Sequence, residues 1–454
     1  MGWHQAVKIS ITRKAYQEET QFLRQPSSIF RAVIILFQPI AACFPQIAVT
    51  VKCFVKQSVE LLIYTSMEST QTVPSASQTT IPLDAPCRLN PLLNRITELA
   101  PDTDSEGEFP ESAFSQLADA GLLAITLPGH DLDFTQGQTA RLLQLLKRIG
   151  SANLAVGRVY EGHINALYLI HRYATPEQQA TWHADACQHR RLFSVWNTQA
   201  EDGIRIHESN GLYRLTGAKT FCSGASWVHR PLITGHLQAD SRNGWQMAIV
   251  PTERVRKIRQ DERFWQPLGM RASASFKLDF TGVEVTESDL LGQPGDYLRQ
   301  PYFSGGAIRF AAVQLGGAEA IFQATRSFLM AMNRIDDLLQ QTRLAEMAYL
   351  IESGNQWLQA AGDKTDQWLT QGMDWRTIVG YANMTRTAIE EICLRVMPLA
   401  ERCVGARGLL RPNPFERLHR DLTLYLRQPA PDATLVDIGK YVLTNPQPAN
   451  ELWS

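Results

Sequence analysis

No excess of charge marks this sequence. Lys and Arg number 44 against 45 Asp and Glu, so no long-range field gathers a polyanion, and nucleic acid is not an expected partner. Paired cysteines are missing too. The seven (Cys43, Cys53, Cys87, Cys187, Cys222, Cys393 and Cys403) are odd in number and include no C-x-x-C. That argues against a disulfide scaffold and for a reducing compartment such as the cytoplasm. There is no G-x-G-x-x-G after a strand, no G-x-x-x-x-G-K-[ST] and no G-x-S-x-G, so dinucleotide-fold, P-loop and serine-hydrolase readings lack their fingerprints. The metal-capable run from His183 to His189 lacks a third and fourth ligand at zinc spacing, and no metal is expected.

What is present is length and apolar content. With 454 residues and 44% hydrophobic side chains, the chain can bury two or three cores. The first 66 residues differ from the rest. Ala32 to Val51 carry no charge, are flanked by Arg31 and Lys52, and are long enough to cross a bilayer, but Pro39 and Pro45 interrupt them. Met67 then opens the polar stretch MESTQTVPSASQTT, which reads as an ordinary amino terminus. Residues 1–66 are therefore read as an upstream extension or a mis-assigned start, with a membrane anchor or targeting peptide as the alternatives, and 67–90 as a flexible amino terminus.

Periodicity divides the remainder into three. Residues 91–190 read as helical: Phe114, Leu117, Ala118 and Leu122 share one face, and further helices follow at 140–149, 154–173 and 176–187, the last with Thr175 to cap it and Pro176 in its first turn. Residues 191–296 read as β, with short runs at 192–196, 212–216 and 245–250, an Asn210-Gly211 turn, and alternation through Phe276, Leu278 and Phe280. Residues 297–445 read as long helices near 301–333, 337–361, 374–403 and 415–427, which bury their faces most simply as a four-helix bundle. The fold class is thus α+β and multi-domain: a helical domain, a β-barrel or sandwich, then a helical bundle. The segment Gly217-Ala-Lys-Thr-Phe-Cys-Ser-Gly-Ala225 sets an aromatic, a hydroxyl and glycine-rich backbone together, which suits a planar ring with polar edges, although Phe221 taken alone is most simply a core aromatic.

Seven pieces in fixed order carry a resemblance across about 95–443. They are F-x-x-L-A-D-A-G-L-L (114–123), T-P-E-Q-Q-A-x-W (175–182), G-A-K-T-F-C-S-G-A (217–225), W-Q-P-L-G-M-R-A-S-A-S (265–275), L-L-G (290–292), I-R-F-A-A-V-Q-L-G-G-A-E-A (308–320) and L-H-R-D (418–421). Together they resemble the acyl-CoA dehydrogenase superfamily. The resemblance implies FAD as cofactor between the β domain and the C-terminal helices, with Phe221 beside the flavin, Ser223 hydrogen-bonding near N5, and Trp196, Asn197 and Thr198 on the strand that meets the pyrimidine edge. It places Arg309 by the thioester end of the substrate cavity, Arg334 near the pyrophosphate of a neighbouring subunit's FAD, and Gly405 in the turn that packs on that cofactor. It also implies an acyl thioester substrate and a homodimer or homotetramer.

A dehydrogenase of that family needs a carboxylate to remove a proton alpha to the thioester. At the two places where the family carries it, this sequence has Pro429 and Ile308, neither of which can accept a proton. Asp432 and Glu319 are the remaining weak candidates. The stretch Tyr425-Leu-Arg-Gln-Pro resembles instead a turn of the superfamily's flavin monooxygenases, with Arg427 where a histidine usually stands. Arg427 is either a fixed charge near the flavin or an anionic substrate, or a surface arginine paired with an acid such as Asp432. The activity expected is a flavin oxidoreductase acting on an acyl thioester or related small substrate; a monooxygenase of the same fold, or a flavin-free binding or scaffold relative, is the alternative.

Overall fold

In the computed structural model, residues 86–454 are described, apart from 240–241, 255–258 and 428–429. The chain divides into two units, 1–77 and 78–454, and everything below concerns the second. The uncharged run 32–51, Met67 and Pro429 fall outside the described residues. No helix among the described residues is long and apolar enough to cross a membrane.

Five helices come first: α1 (Pro86–Leu99), α2 (Glu111–Asp119), α3 (Thr139–Ala152), α4 (Leu154–Tyr173) and α5 (Pro176–Cys187). Their ends follow local chemistry. The Asn153 side chain accepts from the amides of Ala155 and Val156, which lets α4 start directly after α3 ends. Thr175 and Gln178 close a reciprocal capping box with Pro176 at the first turn of α5, as expected from T-P-E-Q. Helix α4 is buried along almost its whole length, so it forms the centre of this layer rather than a surface.

The middle segment contains β1 (Phe193–Trp196), β2 (Arg205–Ser209), β3 (Leu212–Thr216), β4 (Ala218–Cys222), β5 (Arg230–Gln238), β6 (Asn243–Ile249), β7 (Arg259–Asp261), β8 (Phe276–Asp279), β9 (Glu284–Val285) and β10 (Leu290–Leu291). One sheet runs β10-β6-β5-β2-β3-β9, and a second runs β4-β8-β7. The long strand β5 carries β6 on one edge and, end to end on the other, β1 and β2 in parallel register. Asn210 and Gly211 both take positive φ, as a two-residue Asn-Gly hairpin requires. Trp196, Ile206, Leu215, Ile233, Leu278 and Phe280 are buried in one core. This is the sandwich-like domain that the alternation indicated.

Helices α6 (Ala307–Ala331), α7 (Leu338–Gln371), α8 (Trp375–Gly408), α9 (Phe415–Leu426) and α10 (Pro431–Thr444) complete the unit. Asp337 and Asp374 cap α7 and α8. The sequence reading ended α7 about ten residues early and did not separate α10, most of whose residues are exposed and give little amphipathic signal. The bundle also recruits α3, which lies against α6 through glycines. A Cβ at Gly316 would sit 2.1 Å from the Lys147 carbonyl oxygen, and one at Gly150 would sit 2.5 Å from that of Val313. Only glycine lets the two backbones come this close.

Candidate functional site

A cavity of about 910 Å³ opens between α4, the end of β1, the start of α6, α8 and α10. Its polar wall is one face of α4. Residues 158, 161, 165 and 168 recur at helical spacing, and all line the cavity. Arg158 Nη1 donates to Glu161 Oε2 at 2.7 Å, the Asn165 side-chain amide donates to Glu161 Oε1, and Arg309 Nε, reaching in from α6, donates to Asn165 Oδ1 at 2.5 Å. The Arg309 guanidinium also lies 4.8 Å from the Tyr168 ring centroid. Glu161 is 2% exposed, so both of its oxygens are committed to protein donors in the interior. Burial pulls the Arg309 guanidinium below its ordinary value, with Tyr168 and Glu161 opposing.

Tyr297 and Tyr425 complete this end of the cavity. Burial first, and the Glu161 charge second, push both phenols well above their ordinary range, so each is a neutral hydroxyl. The Tyr425 hydroxyl is buried without a hydrogen-bond partner.

The β side of the cavity is held by a buried lysine. Lys219 on β4 is 0% exposed, and its ammonium donates to the Asn197 carbonyl at 2.8 Å, Gln199 Oε1 at 2.8 Å and Thr234 Oγ1 at 3.0 Å. An ammonium only donates, so the Thr234 hydroxyl must direct its own proton elsewhere, and it lies 2.7 Å from Asn197 Oδ1. The Asn197 oxygen is thereby occupied. Its Nδ2 has no acceptor among the described residues, and Asn197 with Thr198 lines the cavity. The relay from Lys219 through Thr234 therefore fixes Asn197 as a donor toward the cavity.

Beside this edge the backbone is strained. Phe221 takes φ +54° at a register break between β4 and β8, and Met270 and Ala274 also take positive φ, a conformation costing about 1–2 kcal/mol for each non-glycine residue. The Phe221 ring is 40% exposed and meets Phe264 and Trp265 edge-on. It is not the core aromatic its type suggested. Ser223 is buried, its hydroxyl 2.9 Å from that of Ser275, which is 2.8 Å from that of Ser273. Trp196 turns inward against Phe280 and donates Nε1 to the Ser223 carbonyl at 3.1 Å, so its indole serves the core while its neighbours Asn197 and Thr198 face the cavity.

The other expected residues are dispersed. Ile308 is buried beside the cavity in a smaller one of about 250 Å³. Arg427 is half-exposed and pairs with Glu390 at 2.9 Å, a different acid from the Asp432 suggested; Asp432 is exposed in the first turn of α10. Glu319 pairs with Lys147 on α3 and is absent from the cavity wall. Arg334 pairs with Asp337 at 2.7 Å, and Gly405 sits exposed at a break in α8, with φ +59° and open space around it. Sequence reasoning missed Arg158, Glu161, Asn165, Tyr168 and Lys219. The available signal was charge at i and i+3 inside an otherwise apolar helix.

This architecture defines a class of three-part proteins in which a helical layer and a helical bundle enclose the edge of a β domain. Residues 92–190 match the acyl-CoA dehydrogenase N-terminal domain, and 308–426 match the acyl-CoA dehydrogenase C-terminal domain. The chain belongs to the acyl-CoA dehydrogenase superfamily. Among curated relatives, a dibenzothiophene monooxygenase of Mycolicibacterium goodii is 23% identical over 384 residues, 76% of this chain and 90% of that protein. A probable acyl-CoA dehydrogenase of Bacillus subtilis is 23% identical over 347 residues, covering 72% and 89%. Among solved structures, FMN-bound TdsC from Paenibacillus sp. A11-2 superimposes with a TM-score of 0.70 at 17% identity, covering 81% of this chain and all of that one.

Proposed function

We propose that this chain is a flavin-dependent monooxygenase of the superfamily, acting on a small organic substrate in the 910 Å³ cavity. The observation that carries the reading is the commitment of Glu161. Of the two acids on the cavity wall, Glu161 and Asp437, the buried one is bound through both oxygens to Arg158 and Asn165, which leaves it poorly placed to abstract a proton. Asp437 lies exposed on α10.

The residues present fit a flavin ring. Phe221 offers an exposed aromatic surface, and Asn197 and Thr198 offer polar groups beside it, one a donor oriented by Thr234. FMN is favoured over FAD, because Arg334, expected at the FAD pyrophosphate, is held by Asp337, and because TdsC is described with FMN. Bound there in its reduced form, supplied by a separate reductase, the cofactor would let one atom of dioxygen enter the substrate while the other leaves as water with the two reducing electrons and two protons. The chain's own part is to seat the ring, orient the Asn197 amide and exclude bulk water. Exposed Leu338, Leu339, Leu409 and Leu410 support assembly into a homo-oligomer.

Two assays on one preparation decide the matter. Reduced FMN with ¹⁸O₂ and a panel of aryl sulfides, sulfinates and amines is expected to give singly ¹⁸O-labelled product, and anaerobic octanoyl-CoA is expected to leave the oxidised flavin spectrum unchanged. Rapid bleaching by the thioester would overturn the proposal. Loss of that bleaching in Glu161→Gln would then identify Glu161 as the dehydrogenase base.

A further inference from the structure

The buried end of the cavity carries more positive than negative charge. Arg158 and Glu161 cancel through their 2.7 Å ion pair, and Arg386, which also lines the cavity, has the Glu390 carboxylate one helical turn away on α8, which leaves Arg309. Its one hydrogen bond is to a neutral amide, at Asn165 Oδ1, and it has no ion-pair partner among the described residues. Its two terminal nitrogens have no acceptor among the described residues, and Arg309 lines the cavity. Gly306 keeps that place open, since a Cβ there would lie 2.5 Å from Arg309 Nη2. The contact with Tyr168 compensates the charge only in part. Even a half-buried cation without a counter-ion is costly to maintain. A second, independent deficit lies in the same cavity: Tyr425, 3% exposed, keeps a hydroxyl with no partner. Arg309, Tyr425 and Glu161 line the same cavity, and the Glu161 oxygens are already taken by Arg158 and Asn165.

We propose that this end of the cavity is an anion subsite, in which Arg309 receives the carboxylate, sulfinate or similar oxyacid group of the substrate and the Tyr425 hydroxyl gives a further hydrogen bond. The inference rests on the reading that the cavity holds a substrate, and it names that substrate's class. A planar guanidinium with free terminal N–H groups matches the two oxygens of such an acid, and a neutral substrate would leave both deficits in place.

The test compares benzoate with its neutral isostere benzamide, titrated by calorimetry into the full chain loaded with FMN. Benzoate is expected to bind at least tenfold more tightly. Arg309→Met should bring the ratio close to one, Arg309→Lys should keep part of it, and Tyr425→Phe should weaken benzoate several-fold while leaving benzamide unchanged. The lysine variant keeps the test valid if the methionine variant fails to fold. Equal affinities in the wild type, or an undiminished benzoate preference in Arg309→Met, would overturn the inference. So would an Arg309→Met variant that loses affinity for FMN but not riboflavin while its benzoate preference stands, because the arginine would then serve the cofactor's phosphate. If the chain takes up no flavin, the proposed function fails, and the same titration of the flavin-free chain still decides the subsite.

Discussion

Lys219→Met tests the burial of the ammonium that anchors the relay to Asn197. The wild-type ammonium is fully buried among Asn197, Gln199 and Thr234, with no carboxylate bonded to it; the Trp245 ring lies 5.0 Å away, and the one titratable group that opposes the burial effect is Cys222, whose thiol burial keeps neutral. Burial therefore dominates, and it pulls the Lys219 ammonium down from 10.5 to about 7. The sign follows from proton counting. Between about pH 7 and 10.5 the unfolded chain holds a proton on this lysine that the folded chain does not, so its contribution to stability rises with pH across that window. A depression of three to four pH units corresponds to roughly 4–5 kcal/mol of burial cost, present in full below pH 7 and relieved toward pH 10. Urea unfolding of wild type and Lys219→Met, measured from pH 6.5 to 10, isolates the term as the difference between the two curves. That difference is expected to shift by several kcal/mol in favour of the wild type as pH rises. A flat difference would refute the reasoning, because it would mean that three neutral acceptors alone hold the ammonium at its ordinary value.

Three further outcomes are expected. Gly316→Ala should lower stability by about 2 kcal/mol or more in thermal unfolding, since its Cβ meets the Lys147 carbonyl at 2.1 Å and overpacking of this kind costs about 1–3 kcal/mol or more. Asp421, which accepts from the Met270 amide at 2.6 Å, is pushed up to about 6 by burial, with that bond and Arg417 opposing. Acidification from pH 6.5 to 4 thus gives the wild type about 2 kcal/mol that Asp421→Asn lacks, and denaturant melts of the two at both pH values should separate by that amount. Arg427→Gln should change stability by less than about 1 kcal/mol, as removal of a half-exposed ion pair does, and should leave flavin affinity unchanged in a fluorescence titration.

What the sequence disclosed and what it withheld differ in physical range. Helix and strand periods are local, so the three-part order, the Thr175 cap and the Asn210-Gly211 hairpin could be read directly. The strain at Phe221 could not, because a bulge in β4 depends on its pairing with β8, and the sequence Ala-Lys-Thr-Phe-Cys shows only an ordinary strand. Trp196 and Asn197 are adjacent in sequence, yet one enters the core and the other faces the cavity. A motif match assigns them together; the pleat separates them. Glu161 shows the limit most clearly. At the two places where the family carries its base stand Pro429 and Ile308, whereas the fold brings a carboxylate to the cavity from α4 and at once binds it between Arg158 and Asn165. That commitment leaves Arg309, which the resemblance placed by the thioester end of the substrate cavity, as a cation on the cavity wall without an ion-pair partner among the described residues. The competition of Arg158 and Asn165 for Glu161, which leaves Arg309 without it, is set by side chains from α4 and α6, some 150 residues apart, and only their packing reveals it.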